Sequence, residues 1–98
     1  MDLIHDQEKK DFEQYFDCTI TEVHGERSAF KPNKTFTVES LRLLVETTAN
    51  VYFQNPQDPN CGNGPDMVYL YTCHVDDDGL PYEVEMGYDL TNDTFYFV

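Results

Sequence analysis

Over residues 82–90 the chain alternates with a period of two. Tyr82, Val84, Met86, Tyr88 and Leu90 fall in one phase, and Glu83, Glu85 and Asp89 in the other, with Gly87 among them. That period belongs to a β-strand with one buried and one wet face. The preceding run MVYLYTCHV (67–75) is equally rich in β-formers. Between the two lies Asp76-Asp77-Asp78-Gly79, ending in Asp-Gly, a strong hairpin signal. A further turn near Thr91-Asn92-Asp93 leads to TFYFV (94–98). Residues 67–98 therefore predict an antiparallel β-meander with 94–98 as its edge strand.

Upstream the period lengthens. Phe12, Tyr15 and Phe16 are spaced i, i+3, i+4, which predicts a helix over 3–17 with Asp2 as its N-cap. TITEVH (19–24) is β-branched and predicts a short strand closed by Gly25; residues 26–34, with Pro32, read as loop. Thr37 caps a second helix over 38–54, whose stripe is Val38, Leu41, Val45, Thr48 and Tyr52, and Asn55-Pro56 stops it. Residues 55–66, with three prolines and two glycines, predict a mobile loop. The expected fold is one α+β domain over 1–98, with two helices packed on one face of a three- to four-stranded antiparallel sheet.

Charge changes the picture more than composition does. The 98 residues carry a formal net charge of −13, yet fourteen aromatics (seven Tyr, seven Phe) supply a core that an acidic disordered chain lacks. The last basic residue is Arg42. After it come ten carboxylates and no lysine or arginine: Glu46, Asp58, Asp66, Asp76, Asp77, Asp78, Glu83, Glu85, Asp89 and Asp93. A surface of one sign stores repulsion that folding must offset, whereas a merely solubilising surface intersperses both signs. Strand phase sorts these acids. Glu83, Glu85 and Asp89 point to the wet face, the hairpin adds Asp76, Asp77 and Asp78, Asp93 lies at the next turn, and Tyr69 and Tyr71 come from the neighbouring strand. Same-face side chains repeat every ~6.7 Å, so this is a row of carboxylates among tyrosines.

Such a row suits a basic partner. DNA places one negative charge per ~1.7 Å of helix axis, and its binding proteins carry basic channels to match. The expectation is a non-catalytic acidic protein that binds a basic nucleic-acid-binding protein or nuclease complex, in the manner of phage inhibitors of the anti-CRISPR, anti-restriction or DNA-mimic type. Direct nucleic-acid binding is not expected. An immunity protein against a nuclease toxin needs the same surface, and an ordinary acidic domain or weak calcium-binding module is the plainer alternative. A homodimer through the edge strand Thr94–Val98 is a further expectation.

Other chemistries fit poorly. Counting from His74, Asp76, Asp78, Gly79 and Glu85 match positions 3, 5, 6 and 12 of a calcium loop, but His stands at position 1 and the flanks read as strands. Cys18, Cys61 and Cys73 form no CxxC pair and no zinc spacing with His24 or His74. Cys73 is expected to be buried in its strand, with His74 on the opposite face. No nucleophile elbow or phosphate loop is present, so neither an enzyme nor a cofactor is expected, and no metal site. With no signal-like N-terminus, no bilayer-length apolar run and an odd cysteine count, a cytoplasmic location is expected.

Overall fold

The computed structural model describes residues 6–24, 29–59 and 66–98. The Asp2 cap and residues 3–5, Gly25 and Arg27, and Cys61 with the rest of 60–65 lie outside the described residues. The elements run α1 (Asp6–Phe16), β1 (Ile20–His24), β2 (Ala29–Pro32), α2 (Val38–Thr47), β3 (Val51–Phe53), β4 (Met67–Val75), β5 (Pro81–Asp89) and β6 (Thr94–Phe97). The class is α+β, helices on an antiparallel sheet.

The sheet has six strands, in the order β1-β2-β6-β5-β4-β3, rather than three or four. Two extra strands come from segments whose pattern reads otherwise. β2 lies where 26–34 reads as loop, and it pairs with both β1 and β6. Its Pro32 falls at the last position of the strand, where a missing N–H costs little. β3 lies within the helix expected over 38–54. That helix stops at Thr47, and Thr48 is already extended, with its N–H donating to the Leu44 carbonyl at 2.8 Å. From Val51 the period-two reading wins: Val51 and Phe53 are buried and Tyr52 is exposed.

β6 is not an edge strand. Ala29↔Tyr96 pairs it with β2, and Tyr88↔Phe95 pairs it with β5. The dimer edge expected at Thr94–Val98 is thus an interior position of the sheet, flanked by β1–β2 on one side and β3–β5 on the other.

Cross-strand phase decides what lies inside. Val84, Met86 and Tyr88 of β5 are buried together with Val68 and Leu70 of β4, Phe95 of β6 and Phe30 of β2. Phe12 of α1 stacks on Phe30 (centroids 4.9 Å), and Phe16 packs on Phe95 (4.6 Å) and Phe36 (5.9 Å). Leu41 of α2 joins the same core. Ring pairs of this kind add about 0.5–1.5 kcal/mol each beyond the area they bury.

Caps fix the helix ends. Thr37 Oγ1 accepts from the Ser40 N–H at 3.0 Å, and Ser40 Oγ accepts from the Thr37 N–H at 2.8 Å, a capping box. α1 ends where Asp17 turns left-handed (φ 50°) and the Cys18 N–H donates to the Glu13 carbonyl at 3.1 Å. Arg42 lies over the Phe53 ring at 5.7 Å. Part of the segment expected to be mobile is tied to the sheet: Pro59 is buried, and its carbonyl accepts from the Tyr69 N–H at 2.9 Å.

Candidate functional site

The outward phase of the sheet carries the expected acids and tyrosines. Register places Glu83 opposite Cys73, Glu85 opposite Tyr71, and Gly87 between Tyr69 and Tyr96. Tyr52 continues the line from Tyr71, with ring centroids 5.3 Å apart. Glu83 and Glu85 are exposed, as are Tyr52 and Tyr96, while Tyr69 and Tyr71 are half-buried. At Gly87 a Cβ would stand 2.7 Å from Met67 Cε and 3.4 Å from Tyr69 Cε1, so the flexible end of Met67 would have to move aside. The side chains of Met67 and Tyr69 fill that space.

The seven carboxylates expected to form one surface divide into two kinds. Glu83, Glu85, Asp77 and Asp78 project from the outer face or the hairpin tip, and all four are exposed. Of the other three, Asp76 and Asp89 hold turns. Asp76 Oδ1 accepts from the N–H groups of Asp78 (2.9 Å) and Leu80 (2.8 Å), closing the hairpin in which Gly79 takes φ 79°. Asp89 Oδ1 accepts from the N–H groups of Thr91 (2.9 Å) and Asn92 (3.1 Å), and its Oδ2 from the Asn92 amide (2.8 Å). Burial pushes the Asp89 carboxyl up, but the Asn92 side chain and these backbone donors more than offset it and hold the group below its ordinary value.

Asp93 turns to the opposite side. Its Oδ1 accepts from Tyr88 Oη at 3.0 Å, and that same hydroxyl accepts from the Phe36 N–H at 3.0 Å. Tyr88 therefore ties β5 to the segment entering α2. Its own burial pushes the phenol up to about 12, the Asp93 hydrogen bond and charge adding to this and the Phe36 N–H opposing it.

Strand phase reverses the expectation for Cys73 and His74. The pattern of β4 alternates, with Val68, Leu70, Thr72 and His74 inward, so Cys73 is the outward, half-buried residue and His74 the buried one. His74 Nδ1 lies 2.9 Å from Asp11 Oδ2, and its Nε2 lies 2.7 Å from Thr72 Oγ1. A hydroxyl, an imidazole and a carboxylate in this order are the parts of a nucleophile relay. Here Thr72 is 0% exposed and His74 3%, so no substrate carbonyl reaches the hydroxyl. Phe12, Tyr15 and Tyr82 close around the imidazole. The group is an internal staple between α1 and β4.

The strands also pull the calcium-loop spacing apart. His74 faces inward, and Glu85 sits in mid-strand opposite Tyr71, away from the turn. Among the described residues no group of three or more His, Cys, Asp or Glu side chains is arranged to hold a metal ion. At the hairpin end an open cleft of about 510 Å³ is lined by residues including Asp6, Lys10, Asp76, Asp77 and Tyr82, and there Tyr82 Oη donates to Glu8 Oε2 at 2.6 Å.

Lys10 thus shares a cleft with Asp76 and Asp77 at the hairpin end, whereas Lys31 and Lys34 lie elsewhere. Lys31 falls in the outward phase of β2, opposite Glu22, and Lys34 lies 3.7 Å from Asp17. The β1–β2 side of the outer face thus mixes signs, while the β3–β5 side is acidic and aromatic. Among the described residues no helix is long and apolar enough to cross a membrane. Compared with known proteins, the chain matches no family model, no curated protein and no solved structure.

Proposed function

We infer that the protein is a non-catalytic, cytoplasmic inhibitor that docks its outer sheet face into the basic nucleic-acid channel of a partner protein, as phage-encoded DNA mimics do. One observation carries the reading. Glu83 and Glu85 stand exposed among Tyr52, Tyr69 and Tyr71 on a face with no lysine or arginine from β3 to β5, while the helices pack on the other face. Both carboxylates are free of the turn bonds that occupy Asp76 and Asp89. Complementary potentials speed encounter and set register, and tyrosines supply rigid contact area.

The test is binding to basic nucleic-acid-binding proteins such as nucleases, measured at low and high salt and in competition with DNA. Nuclease treatment removes bridging by nucleic acid. The expected result is an association that weakens steeply with salt, is displaced by DNA, and is lost in the double variant Glu83→Lys, Glu85→Lys while the fold persists. Binding that ignores both salt and the double variant overturns the reading.

A further inference from the structure

The base-free face has a local geometry that selects between the two kinds of cation a basic partner offers. Tyr52, Tyr71 and Glu85 lie in one line across β3, β4 and β5, because Tyr52 pairs with Tyr71 and Tyr71 pairs with Glu85. Adjacent strands are about 4.8 Å apart, so the carboxylate and the nearer ring stand within the reach of one guanidinium. The two rings are tilted 38° to each other at 5.3 Å, which leaves an aromatic shelf beside the acid. Tyr52 is exposed at the sheet edge and Glu85 is exposed in mid-sheet.

We propose that Tyr52, Tyr71 and Glu85 form a receptor for an arginine side chain of the partner, and that lysine is a poor substitute there. The inference rests on the basic-partner reading above and names the chemistry of that partner. A guanidinium is planar and weakly hydrated, so it stacks on an aromatic face while forking a carboxylate at its edge. An ammonium is compact and strongly hydrated, and gains from the carboxylate with little from the rings. The occupant is assigned to a partner because Arg42, the one arginine among the described residues, packs on Phe53 at the helix-bearing side of the sheet, and a second copy, at −13, repels the first. That Arg42–Phe53 contact, at 5.7 Å, shows the ring half of such an arrangement within the molecule itself.

Oligo-arginine and oligo-lysine peptides of equal length and charge decide the matter, with affinity read by fluorescence anisotropy at low and high salt. The expected preference for oligo-arginine is roughly tenfold, the size of one stacked and forked guanidinium. Tyr52→Leu and Tyr71→Leu, made separately and checked by circular dichroism, reduce that preference and leave oligo-lysine affinity unchanged. Glu85→Gln weakens both peptides, and Tyr71→Phe retains the preference. Equal affinity for the two peptides in the wild-type protein, or a preference that survives both leucine variants, overturns the arginine receptor while leaving the basic-partner reading in place. Failure of both peptides to bind in a salt-sensitive way overturns the two together.

Discussion

His74 Nδ1 stands 2.9 Å from Asp11 Oδ2, joining the sheet to α1 across 63 positions of sequence. The carboxylate accepts from Nδ1–H, and Thr72 Oγ1 completes the ring's second bond at 2.7 Å. Removing the imidazole leaves a buried hydroxyl and a largely buried carboxylate without their partner, a cost of about 2–4 kcal/mol. His74→Leu is therefore expected to lower the denaturation midpoint strongly. In a cycle with Asp11→Ala, the double variant should lose less than the sum of the singles, by about 1–2 kcal/mol. Additive losses in urea titrations count against the staple.

The carboxylates of the meander should separate by stability. Glu83→Gln with Glu85→Gln relieves like-charge repulsion and is expected to leave stability within about 0.5 kcal/mol of the parent, or to raise it. Asp89→Ala, which releases three donors at the β5–β6 turn, should cost about 1–2 kcal/mol. Because Asp89 titrates below its ordinary value, its contribution is complete above that value and disappears as pH falls through the depressed one. Thermal melts of the three proteins across acid pH check both statements. A Glu83/Glu85 variant less stable than Asp89→Ala would mean that the exposed row is structural.

Alkali should loosen the fold in two steps. Burial raises Cys18 from 9.0 to about 11 and Tyr88 from 10.0 to about 12. The folded state holds both protons more tightly than the unfolded chain does. The stability they confer is whole below about pH 9 and drains away as pH climbs through 11 and 12. Tyr88→Phe costs about 1–3 kcal/mol at neutral pH, by stranding the Phe36 N–H, but flattens the upper step. Denaturation midpoints measured from neutral to strongly alkaline pH test this, and an unchanged upper step in Tyr88→Phe refutes it.

At the end of α1, Asp17 holds a left-handed backbone at φ 50°. Glycine reaches that region without the Cβ penalty, so Asp17→Gly is expected to stabilise by about 0.5–1 kcal/mol. The ion pair between Asp17 and Lys34, at 3.7 Å and exposed, weighs little against this. A lower melting temperature for Asp17→Gly would assign the ion pair more weight than its exposure allows.

The meander was legible because three signals agree there: alternation, β-branched and aromatic residues, and Asp-Gly at the turn. β2 and β3 were not, for a physical reason. They are four and three residues long, too short for a period to declare itself, and their pairing with β6 and β4 spans residues well separated in sequence. Val45, Thr48 and Tyr52 also satisfy a helical stripe, so only the pairing with β4 could decide that Tyr52 belongs to a strand. In the candidate site, phase alone placed Glu83 and Glu85 correctly on the outer face. The same phase, carried along β4 from Leu70, puts His74 inside. That signal was available, and the ordinary preferences of cysteine for the core and histidine for the surface masked it. The turn duties of Asp76 and Asp89 depend on backbone geometry, although Asp followed two or three positions on by Asn, Thr or Asp hints at them.

The place of β6 has a kinetic consequence. The sheet is two halves, the β1–β2 hairpin and the β3–β4–β5 unit, and they meet only through a strand that follows both in sequence. Neither half extends into the other until that strand arrives, so each keeps one unpaired border until the final register forms. Closing the sheet requires Ala29 to find Tyr96 across most of the chain, a pairing made late and at high entropic cost. Folding should accordingly be slow for a protein of this size and all-or-none in its last step. Substitutions in β6, such as Phe95→Ala, should show their effect in the folding arm of the chevron if closure is rate-limiting.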